Sequence, residues 1–237
     1  MPPSADIAQN IRDVRRRIDA AAQRSGRDAS SITVIAVSKT FTADDVRAAA
    51  ASGQTHFGEN RVQEGLDKIE ALKDLGLTWH LIGHLQSNKA KKAASAFAWI
   101  QSIDSIDLLR KIDAAAIEHG TQPRILVQAD LANEATKFGA DASALTDIVK
   151  AALDARAVRL CGLMIVPPIP DTPDASRPWF TRLRDLRDSI VAAGTPADRL
   201  AELSMGMSDD FEAAVEEGAT IVRVGSAIFG RRVYAQT

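Results

Sequence analysis

Apolar residues recur at helical spacing at Ile7, Ile11, Val14 and Ile18, and Gly26 follows the run. The spacing predicts an amphipathic first helix. Ile32 to Lys39 is a β-branched apolar run that predicts a strand ending on a lysine. Thr42, with Asp45 three residues on, predicts a helix start, and Gly53 its stop. From there the pattern alternates. Strands are expected to begin near Ile32, Thr55, Thr78, Ala98, Arg124, Val158, Ala201 and Thr220. The stretches between them carry helical periodicity: residues 44–52, 60–76, 88–97, 106–120, 142–155, 180–193 and 209–218, with a short IFGRR segment last. The strands are short and apolar along their length, as expected where both faces are buried.

Eight strand–helix units predict an α/β fold, a single (β/α)₈ TIM barrel over residues 1–237 with an extra N-terminal helix outside the repeat. A doubly wound open sheet is the alternative, because periodicity does not show closure. The proline-rich stretch 167–178 reads as a βα loop.

Composition narrows the function classes. A chain of 237 residues with net charge -2 gives no electrostatic reason to expect nucleic acid or a membrane surface as partner. No apolar run approaches the roughly 20 residues of a membrane span, and the N-terminus lacks a signal-peptide core, so a cytoplasmic protein is expected. Cys161 is the single cysteine, which excludes an intrachain disulfide and a multi-cysteine metal site. His80 and His84 lack a third ligand at metal spacing, and no metal is expected. Cys161, on a strand, reads as buried apolar filler. Lys89, Lys91 and Lys92 read as a solvated basic face, and the scattered Trp79, Trp99 and Trp179 form no stacking stripe.

In a barrel, chemistry sits at the C-terminal ends of strands. The first strand delivers Lys39 there. It is either a lysine that snorkels at a strand end or a Schiff-base lysine activated by desolvation. MGMSDDFEAA, with Gly206, and RVGSAIFG, with Gly225 and Ser226, each set glycine and serine between a strand and a helix. Such loops offer amide and hydroxyl donors to an anion, and a phosphate site after strands seven and eight recurs in barrels. With the strand-end lysine they suggest a phosphorylated aldehyde ligand. The alternative for these loops is an ordinary βα turn with Ser208 as a helix N-cap, and Asp209 and Asp210 are expected to face away from a phosphate. Arg223, between Val222 and Val224, is expected to point inward, as a structural ion pair or a ligand contact.

AVSK (36–39), HFGENRVQE (56–64), WHLIGHLQSNK (79–89), SIDS (102–105), CGLM (161–164) and the block 203–232 resemble the YggS/PROSC family of pyridoxal 5′-phosphate (PLP) homeostasis proteins. The motifs span nearly the whole chain. The resemblance implies a barrel like the N-terminal domain of alanine racemase, with PLP held as an aldimine on Lys39. It implies Arg223 facing the pyridine nitrogen, Ser204, Gly225 and Ser226 binding phosphate, and Asn60 and Met164 lining the cofactor. Gly206 completes the candidate set. Thr40-Phe41-Thr42 and Arg61 depart from the family pattern at the rim around the lysine.

The family resembles a cytosolic, mostly monomeric PLP carrier that supplies apo-enzymes, without an established reaction. An always-charged arginine keeps the ring nitrogen unprotonated, which weakens the ring as an electron sink. Racemase chemistry also needs a second base, a tyrosine in alanine racemase, whereas the single tyrosine here is Tyr234. A non-catalytic carrier is therefore expected, with a PLP-dependent racemase and a PLP-free Schiff-base aldolase as alternatives.

Overall fold

The computed structural model describes residues 5–131, 139–168 and 171–230. Tyr234, the last two residues of IFGRR and positions 169–170 of the proline-rich stretch lie outside them. The described residues form eight strands: β1 (Thr33–Val37), β2 (His56–Glu59), β3 (Thr78–Leu81), β4 (Trp99–Ile103), β5 (Arg124–Ala129), β6 (Arg159–Ile165), β7 (Glu202–Ser204) and β8 (Ile221–Val224). All pair in parallel and in chain order. β8 returns to β1 with Thr33 opposite Ile221 and Ile35 opposite Arg223. That pairing closes the sheet and excludes the open doubly wound alternative. The fold is a TIM barrel.

The helices are α1 (Ala5–Arg24), α2 (Ala43–Ala51), α3 (Val62–Ala71), α4 (Ala90–Ala96), α5 (Ile106–His119), α6 (Ala142–Leu153), α7 (Arg177–Ala192), α8 (Phe211–Glu216) and α9 (Ser226–Phe229). The capping box expected at α2 is present: Thr42 Oγ1 accepts from the Asp45 amide at 3.2 Å, and Asp45 Oδ2 accepts from the Thr42 amide at 2.9 Å. α7 starts three residues before the expected Phe180, because Pro178 is well suited to a first helical turn. α3 stops early and passes into a 3₁₀ turn at Lys73–Leu75.

Strand alternation sorts side chains into two layers. Ala36, Phe57, Leu81, Leu163 and Val222 face the helices and join the large outer core. Ile35, Trp99, Leu126, Cys161, Met164 and Ile221 fill the barrel interior.

The first helix is not peripheral. α9 is a single turn, too short to cover the β8–β1 seam. α1 packs against α2, α8 and α9 and completes the outer ring there. Its buried stripe is Ile7, Ile11, Val14, Ile18, Ala21 and Ala22. Asn10 Nδ2 donates to the Ile228 carbonyl at 2.9 Å. Just beyond α1, the Arg27 guanidinium donates to the carbonyls of Val215 and Ala219 at 2.7 and 2.8 Å, closing the end of α8. Ile11→Ala is expected to cost about 2–4 kcal/mol in urea denaturation. Arg16→Ala, on the exposed face of the same helix, is expected to stay within about 0.5 kcal/mol. Equal effects would contradict this placement of α1.

Candidate functional site

Parallel strands put every C-terminal end on one rim. At β1 that rim carries Ser38, Lys39 and Thr40. Lys39 is half-buried and has the alternation parity of Ile35. The backbone on either side of it is held by α3. Lys68 Nζ donates to the Ser38 carbonyl at 2.6 Å, to Glu59 Oε1 at 2.7 Å and to Glu64 Oε1 at 3.0 Å. An ammonium has three hydrogens, so these contacts commit all of them. Glu64 Oε1 also accepts the Thr40 amide, and Ser38 Oγ donates to Glu59 Oε1 at 2.6 Å. Thr40 sits at φ 67°, a left-handed conformation that costs energy outside glycine. The Lys68–Glu64 pair therefore grips the chain before and after Lys39 and holds a strained turn.

Burial pushes the Glu59 carboxyl above the usual carboxylate range, against the donors Lys68 and Ser38. Burial also opposes ionisation of Glu64, but the Thr40 amide and Lys68 outweigh it and hold that carboxyl below its ordinary value.

The loops after β7 and β8 meet beside β1. Gly225 lies against Val37: a Cβ there would stand 3.4 Å from both the Val37 Cβ and its carbonyl oxygen. Phe41 stacks on Phe229 with ring centroids 4.8 Å apart, so the departure at position 41 ties the β1 rim to α9. Ser208 Oγ accepts the amides of Gly225 and Ala227 at 3.1 and 3.2 Å. Arg17, Ser208, Asp209, Ser226 and Ala227 line a cleft of about 280 Å³ here. Gly206 lets the β7 loop turn at φ 91°, where a Cβ would also meet that of Ala214 at 2.5 Å.

Ser208 is thus not an N-cap. Asp210 takes that position, is buried, and accepts the Met207 amide at 2.6 Å. This leaves Asp209 exposed on the cleft, where it was expected to face away. Arg17 enters the cleft from α1, paired with Glu212 at 2.8 Å and 4.4 Å above the Phe211 ring. Nothing in the sequence could place a helix outside the repeat at this cleft.

Arg223 points into the barrel, as alternation requires, and is 4% exposed. One guanidinium nitrogen donates to Ser204 Oγ and another to the Ile165 carbonyl, each at 2.7 Å. Burial pushes its pKa down to about 10 while Asp210 supports the charge, so it stays cationic at neutral pH. Ser204 is fully buried and donates to Gln101 Oε1 at 2.7 Å. The phosphate role expected of Ser204 does not match this placement: its hydroxyl is committed inside the barrel, and Ser208 occupies the cleft.

Met164 is fully buried beside Ser204 in the β6–β7 register. Asn60 is half-buried after β2, where the Gly83 backbone packs on it so closely that a Cβ would meet its carbonyl oxygen at 2.3 Å. Cys161 is buried, and burial pushes its thiol pKa up, consistent with filler. Lys89, Lys91 and Lys92 are exposed, and Lys91 pairs with Glu118. His84 pairs with Asp104 at 3.4 Å. Among the described residues no group of three or more His, Cys, Asp or Glu side chains could hold a metal ion, and no helix is long and apolar enough to cross a membrane.

His80 and Gln101 were missed as interior polar residues. His80 is fully buried, bonded to His56 at 2.9 Å and to Gln101 at 3.1 Å. The available signal was a polar side chain in the middle of a mostly apolar strand, His80 in TWHL and Gln101 in WIQSI.

Lys68→Met should strand Glu59 as a buried carboxylate without its cation and cost about 3–5 kcal/mol by chemical denaturation. A loss under about 1 kcal/mol would show that the pair does not hold this turn. Acid should act through the histidines. Burial first, then Arg124 and Arg15, lowers the His56 pKa; burial, then His56 and Arg124, holds His80 well below 6.5. Below pH 6.5 these two histidines bind more protons in the unfolded chain than in the folded one, so their contribution to stability falls with pH, with Glu59, its pKa raised, opposing it in part. The slope is at most about 1.4 kcal/mol per pH unit per histidine. Urea midpoints between pH 7.5 and 5 should drop, and His80→Phe should flatten the fall. A flat wild-type profile contradicts it.

The alanine racemase N-terminal domain family matches residues 5–233. The pyridoxal phosphate homeostasis protein of Aquifex aeolicus is 40% identical over 229 residues, covering 97% of this chain and 100% of that protein. That of Escherichia coli is 38% identical over 234 residues, covering 98% and 99%. PipY of Synechococcus elongatus, solved with PLP bound, superposes with a TM-score of 0.82 at 40% identity, covering 94% of this chain and 100% of that one. Alanine racemase of Clostridium difficile shares the fold, with a TM-score of 0.73 at 15% identity over 96% of this chain and 57% of its own. With a matched family model and close relatives along almost its full length, this chain belongs to the alanine racemase N-terminal domain family and, within it, to the pyridoxal phosphate homeostasis proteins.

Proposed function

We propose that this chain holds PLP through Lys39 and serves as a carrier that supplies PLP-dependent apo-enzymes without turning over a substrate of its own. The observation that carries the reading is the meeting of three unlike groups at one rim. Lys39 follows β1, the Gly225 loop packs on Val37 two residues before it, and the buried Arg223 guanidinium stands one residue before the end of β8. The donor set fits the cofactor. The Ser208 hydroxyl, whose oxygen takes the Gly225 and Ala227 amides and whose hydrogen is left to donate, suits a phosphate together with the Ser226 hydroxyl; a primary amine suits an aldehyde; a cationic donor suits a ring nitrogen left unprotonated. The PLP-bound form of PipY, 40% identical, supports the same reading.

Each residue then has a distinct task. Ser208, rather than Ser204, holds the phosphate, with Gly225 and Ser226. Arg17, paired with Glu212, lines the same cleft beside Asp209. Asn60 and Met164 flank the ring, and Gly206 shapes the loop that carries Ser208. Bound PLP supplies an aldehyde carbon that condenses reversibly with primary amines. Arg223, charged and donor-only, gives the ring nitrogen no proton, which favours holding the cofactor over carbanion chemistry. The reading includes one domain over residues 1–237 and a cytoplasmic monomer.

Purified protein should show a visible absorbance band, or gain one on adding PLP. Borohydride should fix a pyridoxyl group on Lys39 by peptide mass mapping, and Lys39→Ala should carry none at that position. Ser208→Ala should weaken PLP binding about tenfold, the cost of about one charge-assisted hydrogen bond. A protein that gains no band with PLP overturns the reading, and robust turnover of any amino acid overturns the non-catalytic part of it.

A further inference from the structure

The barrel interior holds a continuous hydrogen-bonded chain from the rim toward the opposite end. Arg223 donates to Ser204 Oγ at 2.7 Å, and Ser204 donates to Gln101 Oε1 at 2.7 Å. The Gln101 amide nitrogen lies 3.1 Å from His80 Nδ1, and His80 Nε2 lies 2.9 Å from His56 Nδ1. An amide nitrogen only donates, so His80 Nδ1 accepts. The neutral ring then carries its hydrogen on Nε2 and donates to His56 Nδ1. Every bond runs in one sense, from Arg223 to His56.

We propose that Gln101, His80 and His56 are positioning residues for the cofactor site: they fix the direction of the Ser204 hydroxyl and so hold the Arg223 guanidinium in place. This rests on the reading that Arg223 faces the PLP ring.

The reasoning is one of donor count. Ser204 has a single hydrogen. While Gln101 presents Oε1, that hydrogen points away from Arg223 and leaves a lone pair for the guanidinium. A flipped Gln101 would present its NH₂ instead. The Ser204 oxygen would then face two donors, and its own hydrogen would lose the acceptor that fixes its direction, a costly loss for a buried hydroxyl. Acceptance at His80 Nδ1 prevents the flip, and His56 fixes the His80 tautomer. His80 also stacks on Trp99 at 5.4 Å, and Arg124 lies 5.2 Å above the Trp99 ring. With Arg15 nearby through Gln54, these cations disfavour a charged histidine, which would donate at both nitrogens and break the sequence.

Two measurements test this. In PLP-free protein at pH 7.5, side-chain ¹⁵N NMR should show His80 neutral with its hydrogen on Nε2. A hydrogen on Nδ1, or a cationic ring, overturns the proposal without reference to PLP. In the second, PLP is titrated by absorbance. Gln101→Met, which keeps the volume and removes donor and acceptor, should weaken binding about tenfold and shift the band, as should Ser204→Ala. The double variant should lose no more than either single, because Gln101 acts through Ser204. Multiplied losses, or an unchanged Gln101→Met, overturn the proposal. Should Gln101→Met not fold, His56→Phe at the far end should move the His80 ¹⁵N pattern and weaken PLP about threefold; an unmoved pattern counts against the chain. Wild type that binds no PLP sinks the cofactor reading instead, and the NMR arm still judges the chain.

Discussion

A guanidinium enclosed in a barrel must find its acceptors in the protein, and the interior is organised around that demand. Arg223 takes Ser204 Oγ and the Ile165 carbonyl, with Asp210 supplying compensating charge. Satisfying one buried donor moves the requirement to the next residue: Ser204 needs Gln101, Gln101 needs His80, and His80 needs His56. An all-apolar interior would pack as well, so these polar groups are better explained by what Arg223 must do at the rim than by stability.

A second polar system lies outside the strands. Lys68, Glu59, Glu64 and Ser38 fill the space between β2 and α3, and their shared task is the Lys39 turn. The two systems are separated by strand parity. Glu59 faces the helices and His56 the interior, though both belong to β2. One parallel sheet thereby fixes the Lys39 turn from outside and the Arg223 cation from inside. The Gly225 loop against Val37 brings the Ser208 cleft to the same rim.

Much of this was legible in the sequence. Strand starts fell within about one residue of those observed, because buried parallel strands are short apolar runs between helices of clear periodicity. Lys39 and the two Gly-Ser loops were visible for the same reason: strand ends fix where chemistry projects. What was hidden depended on long-range contact. Ser204 and Ser208 are four residues apart and equally plausible in sequence; only the strand end separates them, sending one hydroxyl inward and the other to the cleft. Asp209 came to the cleft while its neighbour Asp210 turned inward to the Met207 amide. Arg17 lies far from β8 in sequence, and the role of α1 follows from α9 being too short to cover its seam. Glu59 and Lys68 carry no local mark of their pairing beyond sharing a strand–helix unit.

The central claim is that Lys39, Arg223 and the Ser208–Gly225–Ala227 cradle form one site for one molecule. A crystal structure of the protein with PLP tests it most directly. The account predicts the cofactor joined to Lys39 Nζ, its ring nitrogen against Arg223 and its phosphate against the Ser208 hydroxyl that the Gly225 and Ala227 amides hold. PLP found on another lysine, or with its phosphate away from that cradle, would contradict it.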